Sequence, residues 1–399
     1  MLIIFVFFGI LYKNTKMKQV IPLFKVYMSP TAAYEVAKVL DSGYIGQGPK
    51  VDEFETKLKE RFKTDYVLTT NSATSAEHLA IHLLKKSYSR SWDGINDGDE
   101  VLATPLTCTA SNFPILGNNL KIKWVDVDPN TFNMDLDDLA RKITPKTKAI
   151  MLVHWGGYPN DLDRVKEIQM KASTDIGVKP VVIEDCAHAF GSRFNGQSIG
   201  SHGNVCTFSF QAIKHLTSVD GGALVLPHQN LYNRGKLLRW YGIDRVNNKK
   251  DFRCEADIAE WGFKFHMNDV NATIGMENLK EVDENVIKIH KDNGKFYDLN
   301  LKDIPGVTLP QRDPRMDSSF WIYSMLVERK QDFMDYMKEC GIMVSQVHER
   351  NDIHSALREY KSLLPNLDKI TPNLISIPVG WWVTKEQREY IVDCIKKGW

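Results

Sequence analysis

Short apolar runs alternate with longer stretches in which apolar residues return every three or four positions, from about residue 65 to about residue 225. Runs at 66–70, 100–105, 122–126, 149–153, 180–183, 205–210 and 223–226 have strand length and are bounded by glycine, proline or small polar residues. Strand, helix, strand in this rhythm predicts βαβ units, which close by right-handed crossovers onto a parallel sheet. The expected fold class is α/β, with a mostly parallel sheet flanked by helices. Beyond about residue 283 the order changes to helix, strands and helices, with 320–327 as one strand, which predicts a smaller α+β domain. The chain then divides into a large domain over 21–282, a small C-terminal domain over 283–399, and residues 1–20 as an extension outside the fold. That extension opens on an apolar run, 1–12, too short to span a bilayer and without the basic leader or cleavage site of a signal peptide; it reads as an upstream extension, with a short signal-anchor as the alternative, and a membrane partner is not the expectation.

Two strand ends carry unusual polar residues. Glu184 and Asp185 close the run at 180–183, and Lys214 follows the run at 205–210. An acid and a lysine at the carboxyl ends of two strands converge above one edge of a parallel sheet, where α/β folds bind ligands. A lysine held there out of water has a lowered pKa and becomes an imine-forming nucleophile. Ser209, just upstream, is placed to bind an anion beside the amine. At the start of the helix after 66–70, Ser72, Thr74 and Ser75, around Ala73, dress a helix N-terminus with hydroxyls. Such a terminus takes phosphate on its free N–H groups, and the same residues also serve as plain N-caps. Amine, carboxylate and phosphate cradle together suggest pyridoxal phosphate.

The motifs Glu184-Asp185-x-Ala187-His188-x-x-Gly191, Ser209-Phe210-x-x-x-Lys214 and Asp220-Gly221-Gly222, in that order, resemble the sugar aminotransferases of the DegT/DnrJ/EryC1/StrS family, from about Ile21 to the C-terminal region. The resemblance implies an aspartate aminotransferase-like (fold type I) large domain with a seven-stranded type of sheet. It implies a PLP/PMP cofactor, an amino-acid donor (L-glutamate), a nucleotide-linked keto-deoxysugar as acceptor in amino-sugar biosynthesis, and a homodimer with shared active sites. Lys214 would be the catalytic amine, Asp185 the partner of the ring nitrogen, and His188 a contact near the ring hydroxyl. Ser72, Ala73, Thr74, Ser209 and Lys264 of the partner subunit would hold the phosphate.

The chain departs from the family pattern at several of these positions. Ala73 stands where glycine is usual, and Lys264 where asparagine is usual. Cys108 occupies a place commonly held by a stacking aromatic, and reads either as a soft contact to the ring or as a small buried hydrophobe. For the substrate, Tyr44 and Gln47 lie in the loop that the family sets near the sugar, and His154 follows the carboxyl end of a strand. His348, Arg350 and Asn351 fit recognition of a sugar or diphosphate, or equally a capped helix start.

The 399 residues, 43% hydrophobic and 25% charged, suit an ordinary globular chain. A net charge of +1 leaves no global field for nucleic acid or anionic lipid. The six cysteines form no CxxC pair and no His/Cys ligand spacing, which points to a reducing, cytoplasmic setting and no bound metal. Two other functions share the expected fold: a PMP-dependent sugar dehydratase, in which histidine replaces the lysine, and a non-catalytic PLP-binding sensor or scaffold. Lys214 disfavours the first, although His215 lies beside it.

Overall fold

The structure, a computed structural model, describes residues 20–90, 92–245 and 257–399. The apolar start read as an extension, and Cys254, lie outside the described residues.

The apolar runs form strands β1 (Val67–Thr70), β2 (Glu100–Ala103), β3 (Lys121–Trp124), β4 (Thr147–Val153), β5 (Val181–Asp185), β6 (Val205–Ser209) and β7 (Gly222–Val225). They make one seven-stranded sheet in the order β1-β7-β6-β5-β4-β2-β3. The pairs from β3 through β6 are parallel. β7 runs antiparallel to both neighbours. The reason is the connection: the stretch from β6 to β7 is a turn-rich return without a helix, and a parallel neighbour would need a longer crossover.

Side chains alternate across the sheet and feed two separate cores. Leu68, Val101, Met151, Ile183 and Leu224 face one cluster, which helix α1 (Ala73–Leu84) completes with Ala76, Leu79, Ala80 and Leu83. Val67, Leu102, Ile150, Leu152, Val182 and Phe208 face the other. Phe54, Leu58 and Phe62 from the helix Pro49–Phe62, and Val165 and Ile168 from the helix Leu162–Ile176, close that side. Strands covered on both faces read as unbroken apolar runs, which is why the central ones stood out in the sequence.

A second, antiparallel sheet of three strands, β8 (Val307–Thr308), β9 (Tyr323–Val327) and β10 (Leu374–Ile377), lies beyond the helix Lys288–Asn300. Its core also contains Ile21. The first described residues therefore lie on the small unit. Ile21 N–H donates to Gly341 O at 2.9 Å, Met343 N–H donates to Ile21 O at 3.0 Å, and Phe24 stacks on Trp321. Residues 21–24, expected to open the large domain, pair with the segment after the helix Lys330–Glu339 because an unpaired strand-like backbone finds its hydrogen bonds there. No helix among the described residues is long and apolar enough to cross a membrane.

Candidate active site

The last two residues of β5 point to opposite faces of the sheet and do different work. Asp185 Oδ1 accepts from Ala187 N–H at 2.9 Å and Oδ2 from Ser111 Oγ at 2.5 Å. Ser111 lies in helix α2 (Thr109–Gly117), and Thr107 Oγ1 sits 2.8 Å from its hydroxyl. The carboxylate is thus oriented from both oxygens. Glu184 instead takes 2.8 Å from His154 Nε2 and 2.7 Å from Asn204 Nδ2. Burial works to raise the Glu184 carboxyl, and the bonds from His154 and Asn204 outweigh it and leave it below the usual range.

His154, expected near the substrate, is fully buried in that network. Asn160 N–H donates to its Nδ1 at 3.0 Å, so Nε2 carries the proton given to Glu184. Glu184, His154 and Cys186 crowd within 4.8 Å, but both imidazole nitrogens are already engaged. Its role is to lock the end of β5, which corrects the substrate assignment.

Lys214 occupies a turn after β6, with its N–H on Gln211 O at 2.9 Å. Its Nζ lies 3.6 Å from the centre of the Trp321 ring. Trp321 Nε1 donates to Ile213 O at 3.0 Å, which fixes the ring against the lysine turn. Burial lowers the Lys214 amine from 10.5 to about 8, with Asp185, Cys108 and Glu77 pulling it partly back. His188 stacks on Trp321 with centroids 3.8 Å apart and planes at 18°. His348 lies parallel to His188 at 5.7 Å. His188 Nδ1 and His348 Nε2 are buried without a hydrogen-bond partner. His215, next to the lysine, turns away and places Nε2 at 3.0 Å from Ser319 O. Cys108 stands at the start of α2, half-buried, and the flat surfaces beside the amine are Trp321 and His188 instead.

The anion cradle is built around Gly222. A Cβ on Gly222 would sit 2.6 Å from Ala73 N and from Ser72 C and O, so only glycine lets the start of α1 press on the end of β7. Ser209 pairs with Gly222 across the sheet. Ser72 caps the helix by accepting from Ser75 N–H at 3.1 Å, and Thr74 is exposed at its first turn. Ser209 Oγ accepts from Gln211 N–H at 3.3 Å. The segment of Lys264 runs beside the same helix start: Asn71 N–H donates to Phe265 O at 2.7 Å, and Asn71 Nδ2 to Lys264 O at 3.2 Å. The Lys264 side chain is exposed.

The other expected substrate residues divide. Tyr44 is 82% exposed at a loop tip, and Gln47 has a buried Oε1 without a partner. Arg350 is bound to Asp352 at 2.7 Å and Asp368 at 2.5 Å, so its guanidinium is engaged. Asn351 is fully buried: N–H donates to Pro105 O, Nδ2 donates to Thr107 O, and Oδ1 accepts from Asn112 Nδ2. Asn351 pins the small unit to the segment that carries Cys108 and Ser111, whereas Arg350 is tied within the small unit itself, so both side chains are engaged within the fold rather than turned to a substrate. A large open groove lies elsewhere, around Asp128, Tyr158, Arg164 and Arg312. Its arginines pair with acids, Arg164 with Asp137 and Arg312 with Asp298.

Trp321, Ser111 and Glu77 were not foreseen. Trp321 sits in a run that reads only as a strand, and Ser111 looks like one more small residue. Glu77 did leave a signal, a charge on the apolar face of α1 between Ala76 and Ala80. The donor set fits pyridoxal phosphate: a desolvated amine, an oriented carboxylate, an unpartnered imidazole nitrogen and a helix N-terminus pressed on a glycine.

A family model described as the DegT/DnrJ/EryC1/StrS aminotransferase family matches residues 27–396. AtS13 from Actinomadura melliaura is 48% identical, with a TM-score of 0.91 over 96% of this chain and 100% of its own. The sugar aminotransferase CalS13 from Micromonospora echinospora is 42% identical, with a TM-score of 0.89 over 95% of this chain and 100% of its own. GDP-perosamine synthase of Escherichia coli O157:H7 is 30% identical over 313 residues, 78% of this chain and 79% of that protein. More distant solved relatives are in PLP- and PMP-forms.

Proposed function

The chain belongs to the DegT/DnrJ/EryC1/StrS aminotransferase family, and from that membership we propose that it moves the amino group of L-glutamate onto a nucleotide-linked keto-deoxysugar, leaving 2-oxoglutarate and an amino sugar. It is a sugar aminotransferase that uses pyridoxal phosphate, which when bound supplies the electron sink for breaking the donor's α-C–H bond. The observation that carries the reading is the Lys214 amine, desolvated against Trp321 and neighboured by the oriented Asp185.

The neutral Lys214 amine accepts the proton from the donor's α-carbon and returns it on the acceptor side. Asp185, held by Ser111 and Ala187, keeps the ring nitrogen protonated. His188 offers Nδ1 beside the ring hydroxyl. Thr74, Ser209 and the N-terminus of α1 hold the phosphate, with Ser72 and Ala73 shaping the turn. His348 and Gln47 each keep a free buried polar atom for the substrate, and Tyr44, exposed on its loop, would contact it from outside. Trp321 keeps water from the amine. Because the His215 ring is engaged with Ser319 O, the lysine serves the site, which favours transfer over dehydration.

The nucleotide handle is supported by a relative whose name states a GDP-linked amino sugar. The working unit is a homodimer with shared sites, in the cytoplasm. The test incubates the PLP-loaded protein with glutamate and a panel of nucleotide-linked 3-keto and 4-keto sugars, and reads products by mass spectrometry. An aminated nucleotide sugar, absent with Lys214→Ala, is expected. Amination of free sugars alone would overturn the nucleotide-linked reading.

A further inference from the structure

Glu77 lies on the inner face of α1, 1% exposed, among Ala76, Leu79 and Ala80. Its Oε2 has no hydrogen-bond partner. A lone acid in an apolar wall is costly unless it is neutral or paired. The polar groups around it are Asp185, Cys108 and Lys214, the groups of the cofactor site. Two ionised carboxylates side by side in that space would repel strongly, and such pairs hold one proton between them. Asp185 already accepts from Ser111 and Ala187, whereas Glu77 Oε2 faces no donor, so Glu77 is the acid of the pair placed to act as a donor.

We propose that Glu77 is a positioning residue that stays un-ionised and donates its proton in a hydrogen bond to Asp185, so that the two acids present a single negative charge to the ring nitrogen of pyridoxal phosphate. Burial, then Asp185 and Cys108, push the Glu77 carboxyl well above the usual carboxylate range, against a smaller pull from Lys214. The Glu77 hydroxyl would then be a further donor to Asp185 beside Ser111 and Ala187, fixing the carboxylate that faces the ring nitrogen. The inference rests on the reading of Asp185 as the ring-nitrogen partner.

The test compares Glu77→Gln, which keeps a donor, with Glu77→Leu, which keeps bulk and loses it. In the apoprotein at neutral pH, the infrared carbonyl stretch of an un-ionised carboxylic acid is expected in wild type and is lost in Glu77→Gln. In equilibrium titration with PLP, Glu77→Gln should bind within about threefold of wild type. Glu77→Leu should bind about tenfold more weakly, the loss of one hydrogen bond to a charged group. It should also shift the pH dependence of the bound cofactor's absorbance. A wild-type infrared spectrum without that band overturns the proposal. So does a Glu77→Leu protein that gains stability and binds PLP with unchanged affinity and pH dependence, the behaviour of a packing defect repaired. Asp185→Asn separates the layers: if it too leaves affinity and absorbance unchanged, the reading of Asp185 has failed, and if it changes them, only the Glu77 inference has.

Discussion

At the scale of single residues, the reactive property of this chain is an amine removed from water. Lys214 is lowered from 10.5 to about 8 because burial against Trp321 disfavours its charged form more than Asp185 restores it. The neutral fraction therefore climbs through pH 8 on the way up, so capture of PLP by the apoprotein should accelerate with pH and level off above about 8. Stopped-flow absorbance reads this, and a rate still rising at about pH 10 would describe a lysine in open water. Lys214→Ala and Lys214→Arg should each lose about 10³-fold or more in turnover, since neither returns a proton at the right place. Borohydride reduction followed by peptide mapping should tag Lys214 in wild type, and a tag on another lysine sinks the assignment. For Asp185→Asn, turnover should fall roughly 10²-fold while PLP affinity moves far less, because the change removes charge from the electron sink and keeps the shape. Full activity in that variant would refute the role. The places of Asp185 and Ser209 at strand ends, and of Lys214 in the turn after one, could be read from sequence order alone. His154, Arg350 and Asn351 were misread for the converse reason. Polarity says that a side chain needs partners, and only the folded chain shows that Glu184, Asp352 and Asn112 supply them. Trp321 reaches Lys214 from a distant part of the sequence, a contact that no local pattern announces.

At the scale of elements, the site depends on how closely α1 approaches β7. Gly222 lies between Thr70 on one side and Ser209 on the other, and the helix N-terminus rests on its bare Cα. Gly222→Ala would push a methyl group to 2.6 Å from Ala73 N, so helix and strand must separate. Overpacking of this kind costs about 2 kcal/mol. The same displacement moves the N–H groups proposed to hold the phosphate. Chemical denaturation and PLP titration should therefore both report the change. Loss of stability with unaltered PLP affinity would take the helix start out of the phosphate site. The elements themselves were readable, since seven apolar runs became the seven strands of the main sheet. The direction of β7 was not, because an apolar run has no sense until the length and content of its connection are weighed against what a crossover requires.

At the scale of the whole molecule, the position of the first residues escaped the sequence, because Ile21 is bound to the small unit by pairing with a segment more than three hundred positions away. The proposed dimer raises a related question, namely which chain supplies the cation for the phosphate. Thr74 and Ser209 give hydroxyls and no charge, and Lys264 is the exposed cation beside the start of α1. Tyr34, Leu40, Tyr44 and Ile45 are exposed along one stretch, an apolar surface of the kind that a second copy covers. If Lys264 acts across that interface, cofactor binding and dimerisation are linked, and adding PLP should tighten the dimer. Two inactive variants, Lys214→Ala and Lys264→Glu, are mixed and allowed to exchange subunits. Acting in trans, each hybrid holds one site with both lesions and one with neither, so activity should return to about half per hybrid. Acting in cis, every hybrid site keeps one lesion and nothing returns. The bond from the Asn71 side-chain amide to Lys264 O within one chain makes the second outcome a real alternative. No recovery after exchange shown by mass spectrometry would place the lysine in its own chain's site, and full activity of a monomer at high dilution would end the shared-site proposal.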